Sequence, residues 1–384
     1  MDVVHELARL THRGATTPQG AAAADILERR LVQVGASVHR QSFLAPRTYI
    51  PTLFWFLGGL IAGLLLGPAV RWVGVAIVGA SAIAGVLFLD WRWTPPMLLP
   101  PLGRAENLIA RHRSAAGEDR PRRLILMAHY DSAPVSLLYL PSMVKSFRQS
   151  LVISLAVVIL AVILSILMAL PGSPSWLAWL RWPLSAYFLV QGVLASVDFF
   201  RFGYTNGAAD NATGVGAALA TASRLWKNPP RGWQVEVLLT SAEEASLVGS
   251  LAYVRKHGRE LDPSQTFVVN FDGLGAGDVR IIRSTGFITA STYDNPLTRA
   301  AVETARREPR FASVKPADWH VGDFDSVNFL RRGFACLCLT SLTPEGAMAH
   351  LHRPGDVLAN VDPRVPARAV DFAEAAIRRF AAEA

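Results

Sequence analysis

Apolar residues are arranged along this chain in two ways. In four places they form unbroken runs: Ile50 to Val70, Val73 to Leu89, Leu151 to Leu170 and Trp182 to Val197. Elsewhere they come as short strand-length runs separated by longer amphipathic stretches. A membrane span needs about 20 mainly apolar residues, within a usable range of about 17 to 25. By that measure the first and third runs pass easily, the second is short, and the fourth is the weakest, bracketed by Arg181 and Asp198. The runs fall into two adjacent pairs, each joined by a short turn, which predicts two transmembrane hairpins over 50–91 and 151–200. Trp55, Trp72, Trp91, Trp176, Trp179 and Trp182 sit near the expected ends, as an aromatic belt at the lipid interface would place them.

An even number of spans returns the chain to its starting side, so all the polar sequence is expected on one face of the bilayer. That side carries Arg40, Arg47, Arg92, Arg104, Lys145, Arg148 and Arg201 near span ends, against Arg71 and Arg181 at the opposite turns. The positive-inside rule then predicts a multi-pass integral protein, of the cell inner membrane, with its polar part in the cytoplasm.

Composition agrees. Hydrophobic residues make up 51% of the 384 and charged residues 18%, against roughly a quarter charged in an average soluble domain. The formal charge of +8 is accounted for by cations flanking spans. No basic run interleaved with aromatics is present, so no nucleic-acid partner is expected. Cys336 and Cys338, the two cysteines, stand two apart in an apolar run and would share one face of a strand. They supply neither a disulfide framework nor a thiolate metal cluster. Met1 to Arg40 reads as an amphipathic soluble helix without the apolar core of a secretory leader.

With the hairpins set aside, segments 1–49, 92–150 and 201–384 form one discontinuous domain in which strands and helices alternate. "GASVHRQSF", "RRLILMAHYDS", "QVEVLLTSAEE", "TFVVNFDGLG", "DVRIIRST" and "FACLCLTS" read as strands. "ATGVGAALATASRLW", "GSLAYVRKHG", "NPLTRAAVETARR" and "PARAVDFAEAAIRRFAAEA" read as helices. Alternation of this kind predicts an α/β layered fold around a mostly parallel sheet.

In such sheets ligands collect beyond the carboxyl ends of the strands, and the residues there are uniform in kind. "LILMA" ends in His129-Tyr130-Asp131, "VEVLLTSA" in Glu243-Glu244, and "FVVNF" runs into Asp272. Asp210 opens the helix after the fourth apolar run, and His352 lies in a loop before the last helix. Carboxylates and imidazoles converging on one cleft would repel and be poorly solvated without cations. A nitrogen and carboxylate donor set without thiolate suits a catalytic zinc site with an open position. In a His-x-Asp strand both side chains share a face, so Asp131 is expected to take the second N–H of His129. Glu243 and Glu244, adjacent on an extended chain, would point in opposite directions, one to metal and one to the nucleophilic water.

These motifs resemble the co-catalytic di-zinc aminopeptidases, a family that includes bacterial leucyl aminopeptidases, aminopeptidase Y and glutamate carboxypeptidases. The resemblance rests on "AHYDS" (128–132), "ADNATGVGAAL" (209–219), "SAEEASLVGS" (241–250), "NFDGLG" (270–275) and "HRPGDVLANVD" (352–362), in family order. The opening "HRGATTPQGAAAADILERRLVQVGASVHRQSF" also matches the family's first helix and strand. It implies a three-layer α/β/α zinc exopeptidase fold with a mixed, mostly parallel sheet, carrying here four inserted transmembrane helices. Two zinc ions are implied, one held by His129 and Asp272, the other by Glu244 and His352, with Asp210 bridging. Glu243 falls at the general base, and peptide is the implied substrate. His352 is preferred to His350 because the family places an Asp four residues after its last ligand, where Asp356 stands. Ala209, Ser246 and Ser326 depart from the family pattern, which carries an acidic residue, Gly and His respectively at those places. The readings to weigh against an aminopeptidase are a single-zinc glutaminyl cyclase-like acyltransferase and a catalytically silent membrane receptor or scaffold.

Overall fold

Strand β3 (Arg122–His129) shows how the core is laid out. Side chains alternate across a strand, so Leu124, Leu126 and Ala128 enter one apolar cluster and Ile125 and Met127 another on the opposite face. The other strands of the computed structural model are β1 (Ala36–Pro46), β2 (Leu102–His112), β4 (Trp233–Thr240), β5 (Thr266–Phe271), β6 (Asp278–Thr285), β7 (Ser291–Thr292), β8 (Lys315–Trp319) and β9 (Ala335–Leu342). The helices are α1 (Asp2–Ala8), α2 (Pro18–Gln33), α3 (Ile50–Leu66), α4 (Arg71–Leu89), α5 (Phe147–Ala169), α6 (Arg181–Phe202), α7 (Thr213–Lys227), α8 (Val248–His257), α9 (Pro296–Arg307) and α10 (Arg364–Glu383). Residues 2–90, 99, 101–112, 121–144 and 146–383 are described. Trp91, Arg92 and Lys145, counted above among the interface aromatics and flanking cations, lie outside them.

The described strands form one sheet in the order β1-β2-β4-β3-β5-β9-β6-β7, with β8 also paired to β6. Helices α1, α2, α7, α9 and α10 cover one face through the larger cluster, while α8 and a short turn at Val327–Leu330 cover the other. This is the three-layer arrangement expected, but the sheet is less parallel than predicted. The β4-β3-β5-β9 centre is parallel, whereas β1-β2, β2-β4, β6-β9 and β6-β7 are antiparallel. The difference arises because β2 and β7, which pair antiparallel, carry too many polar residues to be read as strands, and because β6 joins β9 antiparallel. The N-terminal stretch is likewise two helices, not one. The chain breaks between Ala8 and Pro18, and α2 is capped by the Thr17 side chain accepting from Gly20 N. Cys336 and Cys338 face the same cluster, unbridged and buried.

The apolar runs form helices that pack on one another through Leu60, Leu64, Val78, Ala82, Ala161, Leu164, Met168, Leu184 and Phe188. Three helical stretches are long and apolar enough to cross a membrane: Arg71–Leu89 with 19 residues, Phe147–Ala169 with 23 and Ser175–Phe202 with 28. The first run, expected to be among the longest, is the short one. Its helix ends after 17 residues at Leu66, because Gly67-Pro68 follows and proline has no N–H to continue the ladder. α3 and α4 approach closely through glycine. A Cβ on Gly63 would meet Val78 Cγ2 at 2.6 Å and Gly74 O at 2.9 Å, so both positions exclude larger residues. Outward faces are strongly apolar, with Ile159, Leu189 and Phe200 each at least 60% exposed.

The second hairpin leaves the domain after β3 and returns before α7 through a closed stem. Thr205 N donates to Ala133 O and Val135 N to Gly203 O, both at 2.9 Å. A strap from Ser136 to Val144 then leads into α5.

Candidate metal centre

β3 delivers His129 at its last position, β5 ends one residue before Asp272, and Asp210 and His352 come from loops. With the end of β4, which leads into Glu243 and Glu244, three parallel strand ends converge, and the loops close over them. Asp210 is the hinge of the arrangement. Its Oδ1 lies 3.1 Å from His129 Nε2, and its Oδ2 3.5 Å from His352 Nε2. His129 Nε2 is also 3.5 Å from Asp272 Oδ1, and His352 Nε2 is 3.1 Å from Glu244 Oε2. One carboxylate thus faces two separate imidazole–carboxylate pairs, each with its own oxygen.

These spacings fit a metal. Donors bound at about 2.0–2.1 Å in a tetrahedron stand about 3.3 Å apart, the middle of the separations found. Ligand atoms of His129, Asp210 and Glu244 all lie within 4.8 Å of one another. Glu244 Oε1 and His352 Nδ1 are buried without a protein partner, which a buried polar atom rarely tolerates. All these donors are nitrogen or oxygen, the set expected for zinc without thiolate.

The electrostatics show the same strain. Burial pulls the His352 imidazole down, yet Glu244 and Asp210 lift it to about 10. Burial also opposes charge on His129, but Asp272 and Glu243 hold it well above its usual value. Burial raises Glu244 to about 7 despite His352, and Glu243 rises well above the carboxylate range through burial and the charges of Glu244 and Asp272. Asp210 alone falls below that range, because burial is outweighed by hydrogen bonds to both imidazoles. Without cations the cluster balances its charge with protons, and metal uptake must release them.

Glu243 and Glu244 are not on extended chain, as the sequence suggests. They occupy a tight turn between β4 and α8 in which Ala242, Ser246 and Leu247 take left-handed backbone angles, with φ of 58°, 90° and 57°. The turn is held by Asp131, whose Oδ1 and Oδ2 accept the backbone N–H of Glu243 and Glu244, each at 3.2 Å. His129 Nδ1 sits 3.2 Å from the Asp131 carbonyl oxygen and 3.6 Å from its carboxylate. Asp131 therefore grips the Glu turn more closely than the imidazole. Glu244 turns toward His352, while the half-buried Glu243 lies within electrostatic reach of His129, Asp272 and Asp325. His352, rather than His350, meets the carboxylates, and Asp356 accepts from Ala209 N at 2.6 Å and Asp210 N at 3.3 Å. Ser326, standing where the family pattern has His, shares a 2.8 Å hydrogen bond with the Tyr293 hydroxyl.

Several supporting residues escape a reading of the sequence. Asn211 donates to Phe271 O at 2.8 Å and accepts from Gly214 N and Gly273 N, tying the Asp210 loop to the end of β5. The Tyr139 ring lies 4.3 Å from that of His352. Arg13 is fully buried and donates to Tyr130 O at 2.7 Å and to Asn206 O and Gly207 O at 2.6 Å. It pins the segment bearing His129 to the loop bearing Asp210, across the stem of the second hairpin. Burial pulls its pKa down to about 10 against the opposing pull of Asp356, Asp131 and Asp210. Only glycine fits at 207, where φ is +73° and a Cβ would lie 2.7 Å from the guanidinium. Arg13→Met is expected to strip three buried carbonyls of their donor and cost about 3 kcal/mol or more. A thermal unfolding midpoint equal to wild type would show that the clamp does not stabilise the domain.

Residues 187–377, the stretch carrying Asp210, Glu243, Glu244, Asp272 and His352, match the model of peptidase family M28. Solved structures share the fold of the whole chain. A zinc-dependent exopeptidase from Parabacteroides distasonis superposes with a TM-score of 0.57 at 13% identity, covering 99% of this chain and 95% of that one. A glutaminyl cyclase from Bacteroides thetaiotaomicron gives 0.57 at 14% identity, with 98% and 94% covered. The LapA aminopeptidase of Legionella pneumophila gives 0.54 at 12%, with 100% and 70% covered. No curated protein matches the chain. At such identities the structures show a shared fold and leave the reaction to the site.

Proposed function

We propose that the chain is a membrane-bound di-zinc exopeptidase that removes N-terminal residues from peptides. The observation that carries this reading is the position of Asp210, one oxygen toward His129 and the other toward His352. His129, Asp210 and Asp272 would hold one ion, and Asp210, Glu244 and His352 the other. Bound zinc brings the pKa of a water toward ~7 and polarises a carbonyl.

The chain's own residues supply the rest. Glu243 takes the proton of the attacking water and returns it to the leaving nitrogen. Asp131 keeps Glu243 and Glu244 on their two courses by holding both backbone amides. A cleft lined by Asp131, Asp210, Glu243, Glu244 and Asp272 suits a substrate's free α-ammonium and disfavours its carboxylate, which directs cleavage to the N-terminal residue. Metal content and amino-acid release on detergent-purified protein test the reading. Near two zinc per chain with release of free amino acids supports it. About one zinc, with ammonia released from N-terminal Gln, would replace it with a glutaminyl cyclase. No turnover on a diverse peptide pool would point to a silent receptor.

The apolar helices support integral membrane association in the two hairpins, and the cations at their domain-side ends support a cytoplasmic catalytic domain. A C-terminal fluorescent-protein fusion is then expected to glow in cells and an alkaline phosphatase fusion to stay inactive; the reverse pair of results would invert the topology.

A further inference from the structure

The strap from Ser136 to Val144 reads "SLLYLPSMV" and contains no charge. At its start it bonds to both the metal centre and the apolar bundle. Ser136 N donates to His352 O at 2.9 Å, and Leu137 N donates to Asp198 Oδ2 on α6 at 2.8 Å. From His352 outward runs a row of aromatic contacts. Tyr139 touches His352, Phe147 lies 6.0 Å from Tyr139, and Phe287 stacks on Phe147 at 5.4 Å and 24°. Phe147 is the first residue of α5, the most apolar of the three span-length helices, and Met143 on the strap is exposed. On the other side Tyr49, the residue before α3, donates from its hydroxyl to Ala195 O on α6.

We infer that this strap and aromatic row form an apolar guide along which the centre receives its substrate from the lipid, so that the substrate class is apolar peptides partitioned into the bilayer. The inference rests on the peptidase reading above and adds to it the source of the peptide. A chain moving along this row toward His352 meets Phe147, on which Phe287 stacks, and then Tyr139. Were the substrates drawn from solution, an uncharged strap with exposed Met143 beside the centre would be an unmet apolar surface.

The test uses the full-length, zinc-loaded protein in phosphatidylcholine and phosphatidylglycerol vesicles. Two peptides share the same N-terminal tripeptide. One continues as a Leu-rich, vesicle-partitioned segment and the other as a Ser- and Gly-rich soluble one. The expected result is a kcat/KM at least about tenfold higher for the partitioned peptide, with that ratio falling toward one in Phe147→Gln and Phe287→Gln. Retention of the partitioned peptide by metal-free protein at the same sites, read by photo-crosslinking to residues 139–147, is expected alongside. Equal rates on the two peptides, or a ratio that both variants leave unchanged, would overturn the guide while leaving the peptidase standing. Failure of the wild type to cleave either peptide would remove the peptidase reading and the guide with it.

Discussion

Glu243→Gln is expected to lower kcat by about 10³-fold while the zinc content stays at the wild-type level. The substitution keeps the shape of the side chain and removes only its ability to accept and hand on a proton. The surrounding turn should not notice, because Asp131 holds residues 243 and 244 through their backbone amides, which the variant retains. Nor should the metal ligands, since Glu244 and not Glu243 lies against His352. Turnover and metal therefore separate cleanly in this variant. Elemental analysis beside amino-acid release reads both, and a variant that keeps more than a tenth of wild-type turnover would remove Glu243 from the base position.

Asp210→Asn is expected to have the opposite pattern, with metal and turnover lost together. An amide offers one oxygen where the carboxylate offers two, and the two oxygens of Asp210 face different imidazoles. Partners that merely orient a metal ligand already cost about 10- to 100-fold in affinity or activity when removed, so loss of a shared ligand should exceed 100-fold for at least one ion. Zinc content should drop from near two to one or fewer, and peptide hydrolysis to background. The change is a single atom, and Asn211 would still anchor the loop to β5, so an unaltered circular dichroism spectrum is expected. Two zinc ions retained by the variant would show that Asp210 does not bridge.

The parts that could be read ahead of the structure are those where chemistry is local. Leu151 to Leu170 is readable as a long apolar helix because no charged residue interrupts it, and β3 and β5 as strands because both their faces are buried. β2 was hidden by Arg104, Glu106 and Asn107. Their partners lie elsewhere in the chain: Arg40 reaches Glu106, and Asn107 donates to Gly249 O. Glu243 and Glu244 lie in a turn and not on a strand. Strand alternation does not operate there; left-handed backbone at Ala242, Ser246 and Leu247 does, and nothing in those residue types announces it. Arg13 and Tyr139 carry no local signature at all. Their significance lies in contacts made across the stem and strap of the second hairpin, visible only once the chain has closed on itself.

That stem sets an order of events during synthesis. His129 and Asp131 leave the ribosome before α5 and α6, and Asp210, Glu243, Glu244, Asp272 and His352 leave after them, while Arg13 has to wait for Asn206 and Gly207 to reach its clamp. If the hairpin is threaded into lipid as it emerges, the reactive cluster is completed only on a chain already moored at the bilayer. A free-floating nascent chain would hold one imidazole and no centre, so any hydrolytic activity would begin at the membrane rather than arrive there.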